Sequence, residues 1–179
     1  MRFERTLFNG LLVVHPERMK DERGHFARTF CEEAFGREGL ESRFPQASIS
    51  FNATAGTVRG MHYQHPPHAE TKLVRCTRGA VSDIVVDLRP GEPTYGQWQA
   101  FDLSAANGLA LYIPAGFAHG FQTLQGETEL IYLITPSFKP GMGAGLCWDD
   151  PAFGIHWPLP VSAISTQDRD WPRFEALNA

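Results

Sequence analysis

Along most of the chain, apolar and polar side chains alternate in short runs rich in Val, Ile, Phe, Tyr and Thr, with Gly or Pro in the gaps. A period of two marks strands, because successive residues point to opposite faces of a sheet. The pattern predicts strands at Phe26–Phe30, Thr57–Gln64, Thr71–Thr77, Ala80–Leu88, Gly96–Leu103, Leu109–Ile113 and Thr128–Thr135. Only Cys31–Leu40, short and polar, reads as helical, and it is expected to cover a sheet edge. The turn signals Arg78-Gly79, Arg89-Pro90-Gly91 and Pro114-Ala115-Gly116 are too short to be interdomain linkers, so residues 1–179 are expected to form one all-β domain. Gly141–Gly145 is followed by Leu-Cys-Trp-Asp-Asp-Pro rather than a helix, which makes it a flexible loop rather than a phosphate cradle.

The same alternation sorts side chains by face. Asp83 falls with Val81 and Val85, His62 with Val58, Gly60 and Gln64, Lys72 with Val74 and Cys76, and Tyr132 with Leu130 and Ile134. Ionisable and hydroxyl groups among apolar strand neighbours are what a polar cluster lining a barrel interior looks like.

Composition narrows the function classes. With 179 residues, 42% hydrophobic and 12% aromatic, the chain can bury a sizeable core and is neither disordered nor fibrous. Its 20 Asp and Glu outnumber 16 Lys and Arg, and the net charge of −4 argues against a nucleic-acid partner. An anionic ligand must then be held by a few placed Arg and Lys rather than by a general positive field. No apolar run reaches the roughly 20 residues that cross a bilayer, and a cytoplasmic protein without a membrane partner is expected. Cys31, Cys76 and Cys147 form no C-x-x-C pair and read as free thiols.

Gly108-x5-Pro114-x-Gly116-x2-His119 is similar to the second motif of the cupin superfamily: Pro and Gly build a tight turn, and the His returns to the barrel mouth. The motif implies a double-sheet jelly roll with one or two short peripheral helices. Metal-binding cupins add an H-x-H pair and a Glu. Here the segment reads His62-Tyr-Gln-His65-Pro-Pro-His68-Ala-Glu70, in which His62 and His65 would fall on opposite faces and the prolines put His65 and His68 in a loop. No metal site is expected. Without metal, His62 offers a base, Tyr132 an acid, Lys72 a cation and His119 a second imidazole, with carboxylates to orient them. That kit suits removal of a proton next to a carbonyl. The rival reading is a metal-dependent cupin isomerase or oxygenase using His62, His119 and Glu70.

Arg59-Gly-Met-His62-Tyr-Gln64, Lys72-Leu-Val-Arg-Cys-Thr-Arg-Gly79, Val86-Asp87-Leu-Arg89, Pro93-Thr-Tyr-Gly96, Ile113-Pro-Ala-Gly-Phe-Ala-His119-Gly-Phe121 and Trp148-Asp-Asp-Pro151 together resemble the dTDP-4-dehydrorhamnose 3,5-epimerase family, in order, from about residue 4 to about residue 171. The resemblance implies a metal- and cofactor-free jelly roll, usually a homodimer, that inverts C3 and C5 of a nucleotide-diphosphate-linked 4-keto-6-deoxyhexose in deoxysugar synthesis. By matching position, His62 is the base, Asp168 the carboxylate that orients it, Tyr132 the acid, and Lys72 the group that stabilises the 4-keto oxygen, with His119 and Asp83 in support. Arg59 and Arg23 are matched to diphosphate contacts, Phe26 to packing near the base and Gln46 to a polar contact. Arg23 and Phe26 are implied to come from the neighbouring subunit.

Three positions depart from the family pattern. Arg28 stands where a Glu associated with the nucleotide base is usual, Ser48 replaces an Asn, and Phe138 replaces a second Tyr. These bear on ligand identity rather than on His62 and Tyr132. A non-catalytic sugar-nucleotide-binding cupin is the remaining alternative.

Overall fold

The computed structural model describes residues 1–174. In chain order the elements are β1 (Arg2–Arg5), β2 (Leu12–His15), β3 (Arg18–Asp21), β4 (Gly24–Ala27), α1 (Glu32–Arg37), β5 (Gln46–Asn52), β6 (Val58–Gln64), β7 (Thr71–Arg78), β8 (Ala80–Asp87), β9 (Trp98–Ser104), β10 (Ala110–Ile113), β11 (Phe117–Thr123), β12 (Thr128–Thr135), β13 (Gly143–Gly145) and α2 (Thr166–Arg169). A six-stranded sheet in the order β1-β2-β10-β7-β12-β5 faces a five-stranded sheet in the order β13-β6-β11-β8-β9, and the hairpin β3–β4 stands apart from both. Antiparallel pairing and two facing sheets give the cupin-like jelly roll.

Alternation decides which residues meet between the sheets. Val74 and Cys76 of β7, Leu111 and Ile113 of β10 and Leu130 of β12 pack there against Val81 and Val85 of β8, Leu103 of β9, and Phe117 and Phe121 of β11. The intervening residues build two further apolar layers on the outer faces. Leu12, Leu73 and Tyr112 pack beneath Phe35 of α1, while Met61, Ile84 and Val86 lie beneath Leu146 and Phe153. Burial on both faces explains why β8 is buried almost throughout.

Several expectations are corrected. The strand expected at Phe26–Phe30 is Gly24–Ala27, after which Phe30 turns inward to pack on Phe35 and Phe44. The helix is shorter than Cys31–Leu40 and covers the outer face of the six-stranded sheet, because Phe35 needs that apolar surface. The supposed flexible loop Gly141–Gly145 contributes β13, whose Gly143, Ala144 and Gly145 pair with Gln64, Tyr63 and His62.

Candidate active site

Between the two sheets a cavity of about 460 Å³ opens to solvent, lined by Arg59, His62, Lys72, His119, Tyr132 and Phe138 among others. His62 and His119 are directly opposed on the paired strands β6 and β11. The two backbones come close there: Gly60 has φ 128°, and a Cβ on it would lie 2.5 Å from Gly120 Cα. Lys72 and Tyr132 belong to β7 and β12 of the other sheet, so the imidazoles and the phenol occupy opposing walls.

Each imidazole is held by a carboxylate behind it. His62 Nε2 donates to Asp168 Oδ1 at 2.6 Å, and the other oxygen of Asp168 accepts the Gly60 N–H at 3.3 Å. Asp168 reaches this position from α2, whose first turn is capped by Ser165 Oγ accepting from the Asp168 N–H at 3.0 Å. Burial alone would raise the Asp168 carboxyl. The hydrogen bond and charge of His62 and the Gly60 amide outweigh it and hold the group below its ordinary value, as a carboxylate. A carboxylate only accepts, so the proton on Nε2 belongs to His62 and Nδ1 is left as the basic nitrogen. His119 Nε2 lies 2.9 and 3.0 Å from the two oxygens of Asp83, which is fully buried.

The Tyr132 ring meets His119 edge to face, with centroids 6.1 Å apart. Burial pushes its phenol well above its usual value and the charge of Asp83 adds to this, while Arg59 opposes it. The hydroxyl therefore stays protonated at neutral pH. Lys72 Nζ lies 3.3 Å from Glu70 Oε2, and Glu70 Oε1 accepts from Gln64 Nε2. Arg59 is steadied by Asn52, whose Oδ1 accepts from Nε at 2.7 Å.

The metal reading required His62, His119 and Glu70 to converge. Instead Nε2 of each imidazole is spent on a carboxylate, Glu70 is spent on Lys72 and Gln64, and no three His, Cys, Asp or Glu side chains form a ligand group among the described residues. His65 and His68 lie in the loop after β6, as the prolines implied.

Not every expected residue reaches this cavity. Arg23, Phe26 and Arg28 lie on or just beyond the separate β3–β4 hairpin and line none of it within the same chain. Gln46 stands at the rim, where its Oε1 accepts from the Phe138 N–H. Trp171 is a lining residue that the sequence pattern did not reveal. Its indole meets the His62 ring with centroids 6.4 Å apart and lies so close over Gly145 that a Cβ there would overlap it. The signal available was Gly145 itself, directly opposite His62 in the β13–β6 register.

The chain and its fold have counterparts among known proteins. Residues 5–176 match the family model described as dTDP-4-dehydrorhamnose 3,5-epimerase. The dTDP-4-dehydrorhamnose 3,5-epimerase of Sinorhizobium fredii is 42% identical over 173 residues, covering 96% of this chain and 89% of that protein. A crystal structure of dTDP-4-dehydrorhamnose 3,5-epimerase from Bacillus anthracis with TDP and PPi bound superposes with a TM-score of 0.94 at 35% identity, covering 97% of this chain and 99% of that one. That of dTDP-6-deoxy-D-glucose-3,5-epimerase from Legionella pneumophila in complex with dTDP-4-keto-L-rhamnose gives 0.88 at 33% identity, covering 98% and 99%.

Proposed function

Because the chain belongs to the dTDP-4-dehydrorhamnose 3,5-epimerase family, we propose that its cavity takes a dTDP-linked 4-keto-6-deoxyhexose and inverts C3 and C5 by proton transfer alone. The observation that carries this reading is the placement of a carboxylate-bound imidazole and a protonated phenol on opposing walls of one cavity. Inversion needs a proton removed from one face of the sugar and returned to the other. A base and an acid on the same wall would serve racemisation poorly.

In this account His62 Nδ1 takes the proton from the carbon beside the 4-ketone, and the bonding pair moves onto the carbonyl oxygen. Asp168 fixes the imidazole tautomer and stabilises the imidazolium that forms. Lys72 meets the oxygen as it gains charge. Tyr132 returns a proton to the opposite face, and exchange with solvent restores both groups. The His119–Asp83 pair meets the Tyr132 ring from the opposite wall and sets its environment. Arg59, held by Asn52, offers its guanidinium fork to the diphosphate, and Gln46 and Phe138 close the rim.

Arg23, Phe26 and Arg28 enter this account through a second copy of the chain. Met19 and Phe26 face each other across the β3–β4 hairpin, 62% and 66% exposed, and Ile49, Phe51 and Ile131 are exposed where β5 forms the edge of its sheet. A homodimer would cover these surfaces and bring the hairpin to the partner's cavity.

Incubation with 4-keto-6-deoxyglucose linked in turn to dTDP, CDP and GDP, with sugar stereochemistry read from proton couplings, tests the assignment. The dTDP sugar is expected to emerge with C3 and C5 inverted. Unchanged sugar with folded protein contradicts it, and turnover of the CDP or GDP sugar in preference contradicts the choice of nucleotide.

A further inference from the structure

We propose that Glu70 is a positioning residue for Lys72, holding its ammonium aimed into the cavity; the proposal rests on the epimerase reading above, in which Lys72 meets the developing oxyanion. Lys72 is only 8% exposed. Its register partners on the flanking strands are Ile113 and Ile134, and its own face continues into the fully buried Val74 and Cys76. A cation in such surroundings calls for an anion paired with it.

Glu70 supplies the anion at 3.3 Å, with both side chains 10% exposed. The remaining charged or titratable groups around the cavity do not. Arg59 is a cation, Tyr132 is held protonated, and Asp168 and Asp83 are bonded to His62 and His119. Among the described residues, Glu70 is the one carboxylate in ion-pair range of Lys72.

The second oxygen of Glu70 is occupied by the Gln64 amide, so the carboxylate faces an ammonium on one side and an amide on the other. It is thereby spent as a base toward a ligand. The contact with Glu70 is an ion pair, and the Lys72 ammonium brings N–H donors to the substrate oxygen.

The chain has three lysines, Lys20, Lys72 and Lys139, so lysine labelled with nitrogen-15 at Nζ gives an interpretable NMR spectrum, with Lys72 assigned through Lys72→Arg. In Glu70→Gln the Lys72 Nζ signal is expected to move and broaden as the side chain loses its fixed position, with Lys20 and Lys139 unmoved. In the same variant kcat drops about 3- to 10-fold and KM stays within about twofold. If Glu70→Gln does not fold, Glu70→Ala reads the same signal with the same expectation. An unmoved Lys72 signal overturns the role of Glu70 whatever the activity. A moved signal with no turnover even in the wild-type protein supports the pairing and overturns the epimerase reading instead.

Discussion

His62 and Asp168 stand 106 positions apart in the chain, and their side chains meet with Nε2 2.6 Å from Oδ1. The contact joins a strand of the five-stranded sheet to a helix of only four residues near the C-terminal end of the described chain. A bond between elements so distant defines the tautomer of the proposed base.

Asp168→Asn keeps the shape and removes the charge, and its amide can donate to the imidazole and reverse the tautomer. Turnover is expected to fall by about 10²-fold or more with the fold intact. Asp168 is held below its ordinary value, so its contribution to stability is present above the unfolded carboxylate value of about 3.9 and is lost as pH falls through the lower folded value. The stability difference between wild type and Asp168→Asn, from urea melts at several pH values, should therefore shrink below about pH 3.5. A difference independent of pH contradicts the ion pair.

Tyr132→Phe removes the phenolic proton and leaves His62 untouched. Proton removal from the substrate is expected to continue while inversion stops, so deuterium from the solvent enters the sugar with retained configuration. Inversion at the wild-type rate in this variant rules out Tyr132 as the acid. Because the phenol is raised well above its usual value, ionisation of Tyr132 should not produce an alkaline limb of wild-type activity below about pH 10.

Gly145 pairs with His62 and lies beneath Trp171, where a Cβ would overlap the indole. Gly145→Ala should push Trp171 off the His62 ring, costing about 1–3 kcal/mol of stability, and should change the tryptophan fluorescence and lower kcat together. Unchanged fluorescence and full activity would show that Trp171 does not pack as described.

How much of this was legible depended on the regularity of each strand. Along β7, β8 and β12 from Leu130 onward the facing alternation holds, and it put Lys72, Asp83 and Tyr132 on the inner face correctly. In β5 it fails, because Ser48 and Ser50 line the cavity where an apolar residue would have marked an inner face, so no strand was predicted there. Nor was β11 foreseen: the turn read at Pro114–Gly116 ends just before it, and no strand was predicted over Phe117–Thr123. The placement of Asp168 came from resemblance alone: contacts across the whole chain leave no local period. Asn52 acts through one hydrogen bond that no pattern encodes, and the packing of Trp171 left Gly145 as its one trace in the sequence.

Asp87 lies fully buried, accepting from Arg89 at 2.8 and 2.7 Å and from the Thr94 hydroxyl at 2.6 Å. Burial opposes its ionisation, and the bonds from Arg89 and Thr94 prevail, holding the carboxyl below its ordinary value. Asp87→Asn should cost about 2–4 kcal/mol at neutral pH. The sign follows from the depressed folded value: the contribution is present above about pH 4 and fades as pH falls through the folded value. Equal urea midpoints for wild type and variant at pH 7 would contradict the network.

The most direct test of the account compares wild type and His62→Ala in deuterium oxide with dTDP-4-keto-6-deoxyglucose, following C3 and C5 by NMR. The wild-type protein should load deuterium at both carbons. The variant, folded by circular dichroism, should exchange at least about 10³-fold more slowly. Exchange at the wild-type rate in His62→Ala, or none in the wild-type protein, would contradict proton abstraction by His62.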